Sequence, residues 1–157
     1  ILIEIFKLNI DQSILNEIKK KSLEKVIYTS VVCDLLHVGH INLFKQAKSL
    51  GDILIVGVIS DLGVESYKRN PIISFEQRLE VVSSIKYVDF AIKQETRSGT
   101  ENMKKLGNIS LLIRGDDDEI KDEVEYIKSI GGEFIRIPYT KGVSTSKIIR
   151  KINQKNN

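Results

Sequence analysis

One segment limits the fold more than any other. Ile53-Leu54-Ile55-Val56-Gly57-Val58-Ile59 is apolar throughout and mostly β-branched. A strand with one wet face alternates polar and apolar side chains, so an unbroken run is covered on both faces. The run is also far shorter than the ~20 apolar residues that span a bilayer. It predicts a central strand of a parallel sheet.

The rest of the chain repeats the implied unit. Strands are expected over residues 26–32, 53–59, 88–92, 110–113 and 134–137. Helices are expected over 39–50, 75–85, 100–106, 120–130 and 144–152, with Gly51 and the pair Gly131-Gly132 closing two of them. Alternation of this kind predicts an α/β, Rossmann-like doubly wound parallel sheet of about five strands with helices on both faces. A further helix over 10–25, with Asp11 as its cap and Ile14, Leu15 and Ile18 on one face, forms an N-terminal extension, residues 1–25, ahead of a domain over 26–157. Residues 61–74 form the longest irregular stretch.

Composition narrows the partners. The 157 residues fit one domain. The net charge of +3 is mild, and Lys and Arg are dispersed, which is not the footprint of a nucleic-acid binder. Cys33 is the single cysteine, so no internal disulfide forms and a reducing cytoplasm is the expected location. No run reaches membrane-spanning length. Residues 1–5 are apolar but interrupted by Glu4 and lack a basic lead, so they are not read as a secretory signal.

Ligands of open parallel sheets bind beyond the carboxyl ends of the strands. Both histidines of the chain fall at such a place, in Cys33-Asp34-Leu35-Leu36-His37-Val38-Gly39-His40, between the first strand and its helix. A helix start offers free N–H groups to phosphate, and Gly39 lets a ligand approach the backbone. Two imidazoles there can donate to phosphate oxygens, in bonds that strengthen as charge builds in phosphoryl transfer. The alternatives are a packing or capping role and a zinc site, and the zinc site lacks further Cys or His ligands.

His37-Val38-Gly39-His40 matches the HxGH signature of the nucleotidyltransferase superfamily. The stretch CDLLHVGHINLFKQAKSLGDILIVGVISD resembles its cytidylyltransferase branch, which includes the glycerol-3-phosphate, phosphocholine and phosphoethanolamine enzymes, and the adenylyltransferase domain of ADP-heptose synthesis. Three further segments carry the resemblance: Lys68-Arg69-Asn70-Pro71 with Gln77-Arg78, Arg114-Gly115-Asp116-Asp117, and Gly142-Val143-Ser144-Thr145-Ser146, which is similar to the GIST motif. Helix capping alone would account for Ser144 and Thr145, and a solvated acidic turn for Asp116 to Glu119.

The resemblance implies transfer of CMP from CTP to a small phosphorylated alcohol, glycerol 3-phosphate or another polyol phosphate first, with release of pyrophosphate. His37, His40 and Lys68 would act on the triphosphate. Gly39, Arg78, Arg114, Gly115, Asp116, Ser144 and Thr145 would bind the nucleotide. Asp34 would orient the acceptor or Mg2+, and Mg2+ would accompany the triphosphate without a closed protein cage. A homodimer is expected on the same ground. Asp116-Asp117 favours CTP, because the heptose enzymes carry Gly-Gly-Asp there, whereas Gly131-Gly132-Glu133 looks more like the heptose branch. An ATP-dependent adenylyltransferase acting on a sugar phosphate is the alternative, and a non-catalytic nucleotide-binding domain a second one. One departure stands out. Relatives place Arg-Thr-Glu before the last glycine, where this chain has Tyr139-Thr140-Lys141, so an arginine that usually grips phosphate is missing.

Overall fold

The run Ile53–Ile59 is a strand over its full length, and every one of its residues is buried. The computed structural model containing it describes residues 12–20, 24–116 and 120–155. The expected cap Asp11 and the acidic residues Asp117, Asp118 and Glu119 lie outside the described residues.

In chain order the elements are α1 (Gln12–Lys20), β1 (Val26–Val31), α2 (Val38–Ser49), β2 (Ile53–Ile59), α3 (Asp61–Glu65), α4 (Phe75–Ser83), β3 (Phe90–Gln94), α5 (Thr100–Leu106), β4 (Leu111–Arg114), α6 (Lys121–Ser129), β5 (Glu133–Arg136) and α7 (Thr145–Lys155). The five strands form one sheet in the order β3-β2-β1-β4-β5. Every pairing is parallel, with Val26 opposite Ile53, Ile27 opposite Leu111, Ile55 opposite Phe90 and Leu111 opposite Glu133. The expected doubly wound sheet is therefore present. The order reverses between β1 and β4, which opens a crevice at their carboxyl ends.

Strand alternation divides the interior into two cores. Leu54, Val56 and Val58 face one way and meet Phe44 and Ala47 of α2 and Leu79 and Val82 of α4. Ile53 and Ile55 face the other way and meet Met103 and Leu106 of α5, Ile127 of α6 and Ile18 of α1. Each fully buried Ile, Leu or Val contributes about 1.5–3 kcal/mol. Among the described residues no helix is long and apolar enough to cross a membrane.

Two local differences from the expected elements bear on the site. The third strand runs Phe90–Gln94 instead of 88–92. Asp89 meets β2 twice at Leu54: its N–H donates to the Leu54 carbonyl at 3.0 Å, and its carboxylate accepts from the Leu54 N–H at 2.7 Å and from Lys48. The ladder then continues through Lys93 and Gln94, polar residues that hide a strand from a hydrophobicity pattern. Secondly, the irregular stretch contains α3. Ser60 caps it by accepting from the Gly63 N–H at 3.1 Å.

Candidate active site

A cavity of about 450 Å³ lies at the crevice, lined by the end of β1 and by His40, Lys68, Arg97, Arg114 and Tyr139 among others. The turn from β1 to α2 is its floor. Cys33 and Leu35 both sit in the left-handed region, at φ 58 and 50. Neither is glycine, so the turn holds backbone strain of about 1–3 kcal/mol at each position. Asp34 between them fastens it. Its carbonyl accepts from the Thr145 hydroxyl at 2.6 Å, joining the turn to the start of α7.

His37 caps α2, and its Nδ1 accepts from the Gly39 N–H at 3.1 Å. His40 returns the arrangement: its Nδ1 accepts from the His37 N–H at 3.3 Å. A backbone N–H can only donate, so both Nδ1 atoms are unprotonated and each neutral ring carries its proton on Nε2. The rings lie 4.0 Å apart, tilted by 31°. His40 lines the cavity, and His37 stacks beside it without lining it. A Cβ on Gly39 would come within 2.8 Å of the His37 ring. Gly39 therefore makes room for an imidazole, where a ligand was expected. Burial lowers the pKa of His37. Burial first, then His37 and Lys68, push His40 down to about 4 against a smaller pull from Asp34. His40 is a neutral donor at physiological pH.

The cations around the cavity differ in what they touch. Arg69 donates to the Asp34 carboxylate at 3.2 Å and to the Asn70 carbonyl. Lys68 lines the cavity from an exposed position beyond α3, close enough to act on His40. Arg114 lines it too, but grips Glu123 through two bonds, at 2.8 and 3.1 Å, and reaches the Ser30 carbonyl. Asp34, Gly115 and Thr145 complete the expected residues at the cavity.

Other expected contacts are not built as such. Arg78 is 1% exposed. Its guanidinium donates to the carbonyls of Val32, Ile59 and Ile73, at 2.5, 2.9 and 3.0 Å, and to Asp61. It ties the ends of β1 and β2 together and does not reach the cavity, so it is a positioning residue in place of a nucleotide ligand. Asp34, expected to meet acceptor or Mg2+, has its carboxylate filled by the N–H groups of Ile72 and Ile73, each at 3.0 Å, and by Arg69. Burial pushes its pKa up, but these donors outweigh it and hold the carboxyl below its usual range. Asp116 accepts from the Tyr139 N–H at 3.0 Å and does not line the cavity. Ser144 caps α7 through the Lys147 N–H. Among the described residues no cluster of three or more His, Cys, Asp or Glu could hold a metal. The Cys33 thiol, pushed up to about 12 by burial, is not a nucleophile.

Three functional neighbours escaped the sequence reading. Arg97 and Tyr67 line the cavity, with the guanidinium 4.7 Å over the tyrosine ring. Glu123, fully buried, anchors both Arg114 and the Gly99 N–H. The rule that chemistry follows strand ends would have reached Arg97 had the third strand been extended to Gln94.

A family model described as cytidylyltransferase-like matches residues 32–151. The chain belongs to the cytidylyltransferase-like family. It is a nucleotidyltransferase. Within that family it is 41% identical over 143 residues to the FAD synthase of Thermococcus sibiricus, covering 85% of this chain and 95% of that protein. It is 33% identical over 133 residues to the bifunctional protein HldE of Citrifermentans bemidjiense, covering 82% of this chain and 27% of that protein. It is 32% identical over 133 residues to the ethanolamine-phosphate cytidylyltransferase of Arabidopsis thaliana, covering 80% of this chain and 32% of that protein. Among solved structures, a lipopolysaccharide core biosynthesis protein from Thermoplasma volcanium superposes with a TM-score of 0.65 at 26% identity, over 76% of this chain and 99% of that one.

Proposed function

We propose that this nucleotidyltransferase transfers AMP from ATP to a phosphate monoester, with flavin mononucleotide as the acceptor. The observation that carries the transfer chemistry is the His37–His40 pair, neutral and proton-bearing on Nε2, beside Lys68 at the end of a parallel sheet. The choice of substrates rests on the FAD synthase relative, which this chain matches across nearly that protein's whole length. FAD is an adenylyl group joined to the phosphate of FMN.

An oxygen of the acceptor phosphate attacks the α-phosphorus in line. The bond to the β-phosphate breaks, and pyrophosphate leaves. The protein supplies alignment and charge, with no covalent step of its own. The His40 Nε2–H donates to a phosphate oxygen, and His37 fixes the ring that does so. Lys68 offsets charge on the α-phosphate side. Thr145 and the N–H groups at the start of α7 face the outer phosphates. Mg2+ accompanies a triphosphate in such reactions and keeps most of its waters.

A second reading, CMP transfer from CTP to glycerol 3-phosphate or another phosphorylated alcohol, is favoured by the Asp116-Asp117 sequence. Asp116 itself is exposed, accepts from the Tyr139 N–H and does not line the cavity. Homodimer assembly and a cytoplasmic location belong to the same proposal. The deciding experiment measures pyrophosphate release from ATP and from CTP, each against FMN, glycerol 3-phosphate, phosphoethanolamine and a heptose phosphate. Release with ATP and FMN, and FAD as the product, is expected. Turnover confined to CTP and an alcohol phosphate would replace this reading with the second.

A further inference from the structure

Nucleotidyl transfer brings together a triphosphate and a phosphate monoester, and the cavity is small for both. Its volume of about 450 Å³ lies toward the lower end of the ~300–1,000 Å³ typical of sites that hold one small molecule. His40, Lys68 and Arg69 line it and give it the charge that phosphates need. An apolar body on the acceptor is therefore expected at the rim.

The rim has an apolar edge on one side. Asp34 and Pro71 line the cavity, and Leu36 and Ile72, just beyond them in the chain, do not. Ile72 is 57% exposed and Leu36 39%. Scattered exposed apolar side chains are ordinary on a protein surface. These two differ in how they are held. The N–H groups of Ile72 and Ile73 each donate to the Asp34 carboxylate at 3.0 Å, and Arg69 donates to it as well. Asp34 is itself buried. Leu36 stands two residues beyond the same aspartate. Cys33 and Leu35, on either side of that aspartate, occupy the left-handed region, a costly conformation for residues that carry a Cβ. One buried carboxylate thus joins both segments, and a fixed backbone presents two apolar side chains to solvent at the mouth.

We propose that Leu36 and Ile72 bind the apolar body of the acceptor, a flat ring system that packs on their side chains while its phosphate enters the cavity. In flavin mononucleotide that body is the isoalloxazine ring. An acceptor as small as glycerol 3-phosphate carries no such group. Asp34 is then a positioning residue for the acceptor, because it holds the edge from beneath. This rests on the reading of FMN as the acceptor.

The test titrates the full chain with riboflavin, which carries the ring without the phosphate, and with FMN. Flavin fluorescence is followed with and without a saturating non-hydrolysable ATP analogue. Wild type is expected to bind both flavins. Ile72→Ala and Leu36→Ala should each weaken riboflavin binding by about 5- to 20-fold, the effect of taking two or three partly covered carbons from an apolar contact. Ile72→Leu should keep most of the affinity. Melting temperatures should stay unchanged, since both side chains are exposed. Affinity for the ATP analogue should change by no more than about twofold. No riboflavin binding by wild type in either condition, or equal binding by wild type and both alanine variants, would overturn the assignment. So would an equal loss of affinity for the analogue. Loss of a dimer in place of flavin binding would give the edge to a second copy and overturn it too. Riboflavin binding that depends on Ile72, without FAD formation from ATP and FMN, would strike the proposed reaction and keep the edge. FAD formation with flavin binding unchanged in both variants would keep the reaction and strike the edge.

Discussion

The His40 ring is held by the amide of His37, and that single bond fixes its tautomer, its orientation and its role. Removing the ring by His40→Ala should lower kcat by about 10²- to 10³-fold, the usual effect of losing one transition-state donor. Folding should survive, because the ring is only partly buried. Measured kcat within about threefold of wild type, with the fold intact, would remove His40 from the chemistry. The same residue makes a pH prediction. Its folded pKa of about 4 lies below the ordinary 6.5, so the folded state resists its protonation. Its contribution to stability is therefore complete above pH 6.5 and is lost as pH falls from there toward 4. The loss should be on the order of 2 kcal/mol after allowance for partial exposure. Urea unfolding at pH 7 and pH 4.5 should show wild type losing more stability over that interval than His40→Gln. Equal losses would mean that His40 titrates normally. The histidine pair was legible in the sequence because two rare side chains fell on a strand-to-helix turn. The donors to Asp34 and the acceptors around Arg78 were not, because they are mostly backbone groups, which carry no residue signature.

The segment from α3 to α4 shows how a stretch that reads as loop becomes rigid. Ser60 caps α3, Asp61 accepts from the Phe75 N–H at the start of α4, and Arg78 of α4 returns to Asp61 and to the ends of β1 and β2. Asp34 completes the enclosure by holding Ile72 and Ile73. Lys68 is thus presented by a closed frame. Periodicity located β2 and α5 to the residue because packing alone decides them. It missed α3 because a helix of five residues has too few turns to show an apolar face. The family resemblance assigned Arg78 to the nucleotide, because a matching motif does not say which carbonyls surround the side chain. Arg78→Met fills the same space without the donors and leaves three carbonyls, one buried and two partly buried, with one partner fewer. We expect a stability loss of about 2–3 kcal/mol and a rise in KM for the triphosphate as Lys68 loses its frame. A loss of activity without any change in melting temperature would instead return Arg78 to direct ligand contact.

The two cores are not equivalent with respect to the site. The core under α2 and α4 reaches the cavity through the carboxyl ends of β1 and β2. The core under α5 and α6 is linked to it by a buried polar chain: Asn102 donates to the Tyr28 hydroxyl, Tyr28 and Ser30 donate to Gln94, and Gln94 donates to the carbonyls of Thr96 and Arg97. No buried side-chain nitrogen or oxygen among the described residues lacks a partner, so the chain is satisfied throughout and acts as a strut. Burial pushes the Tyr28 pKa far up, which keeps the phenol a donor at any working pH. Stability and function should then separate according to which buried contact is altered. Ile53→Val, at the amino end of β2 and remote from the crevice, removes one methylene from a 2% exposed side chain and should cost about 0.5–1.5 kcal/mol with unchanged kinetics. Tyr28→Phe removes a hydroxyl that joins Gln94 to Asn102 and should cost a similar 1–2 kcal/mol, to about the same precision. The second variant should also raise a substrate KM, because Gln94 then holds the cavity-lining Arg97 loop with one support fewer. Equal KM values in two variants matched for melting temperature would show that the strut bears on stability alone. A selective rise in Tyr28→Phe would trace the path from the sheet interior to the cavity, starting at a group that does not line it.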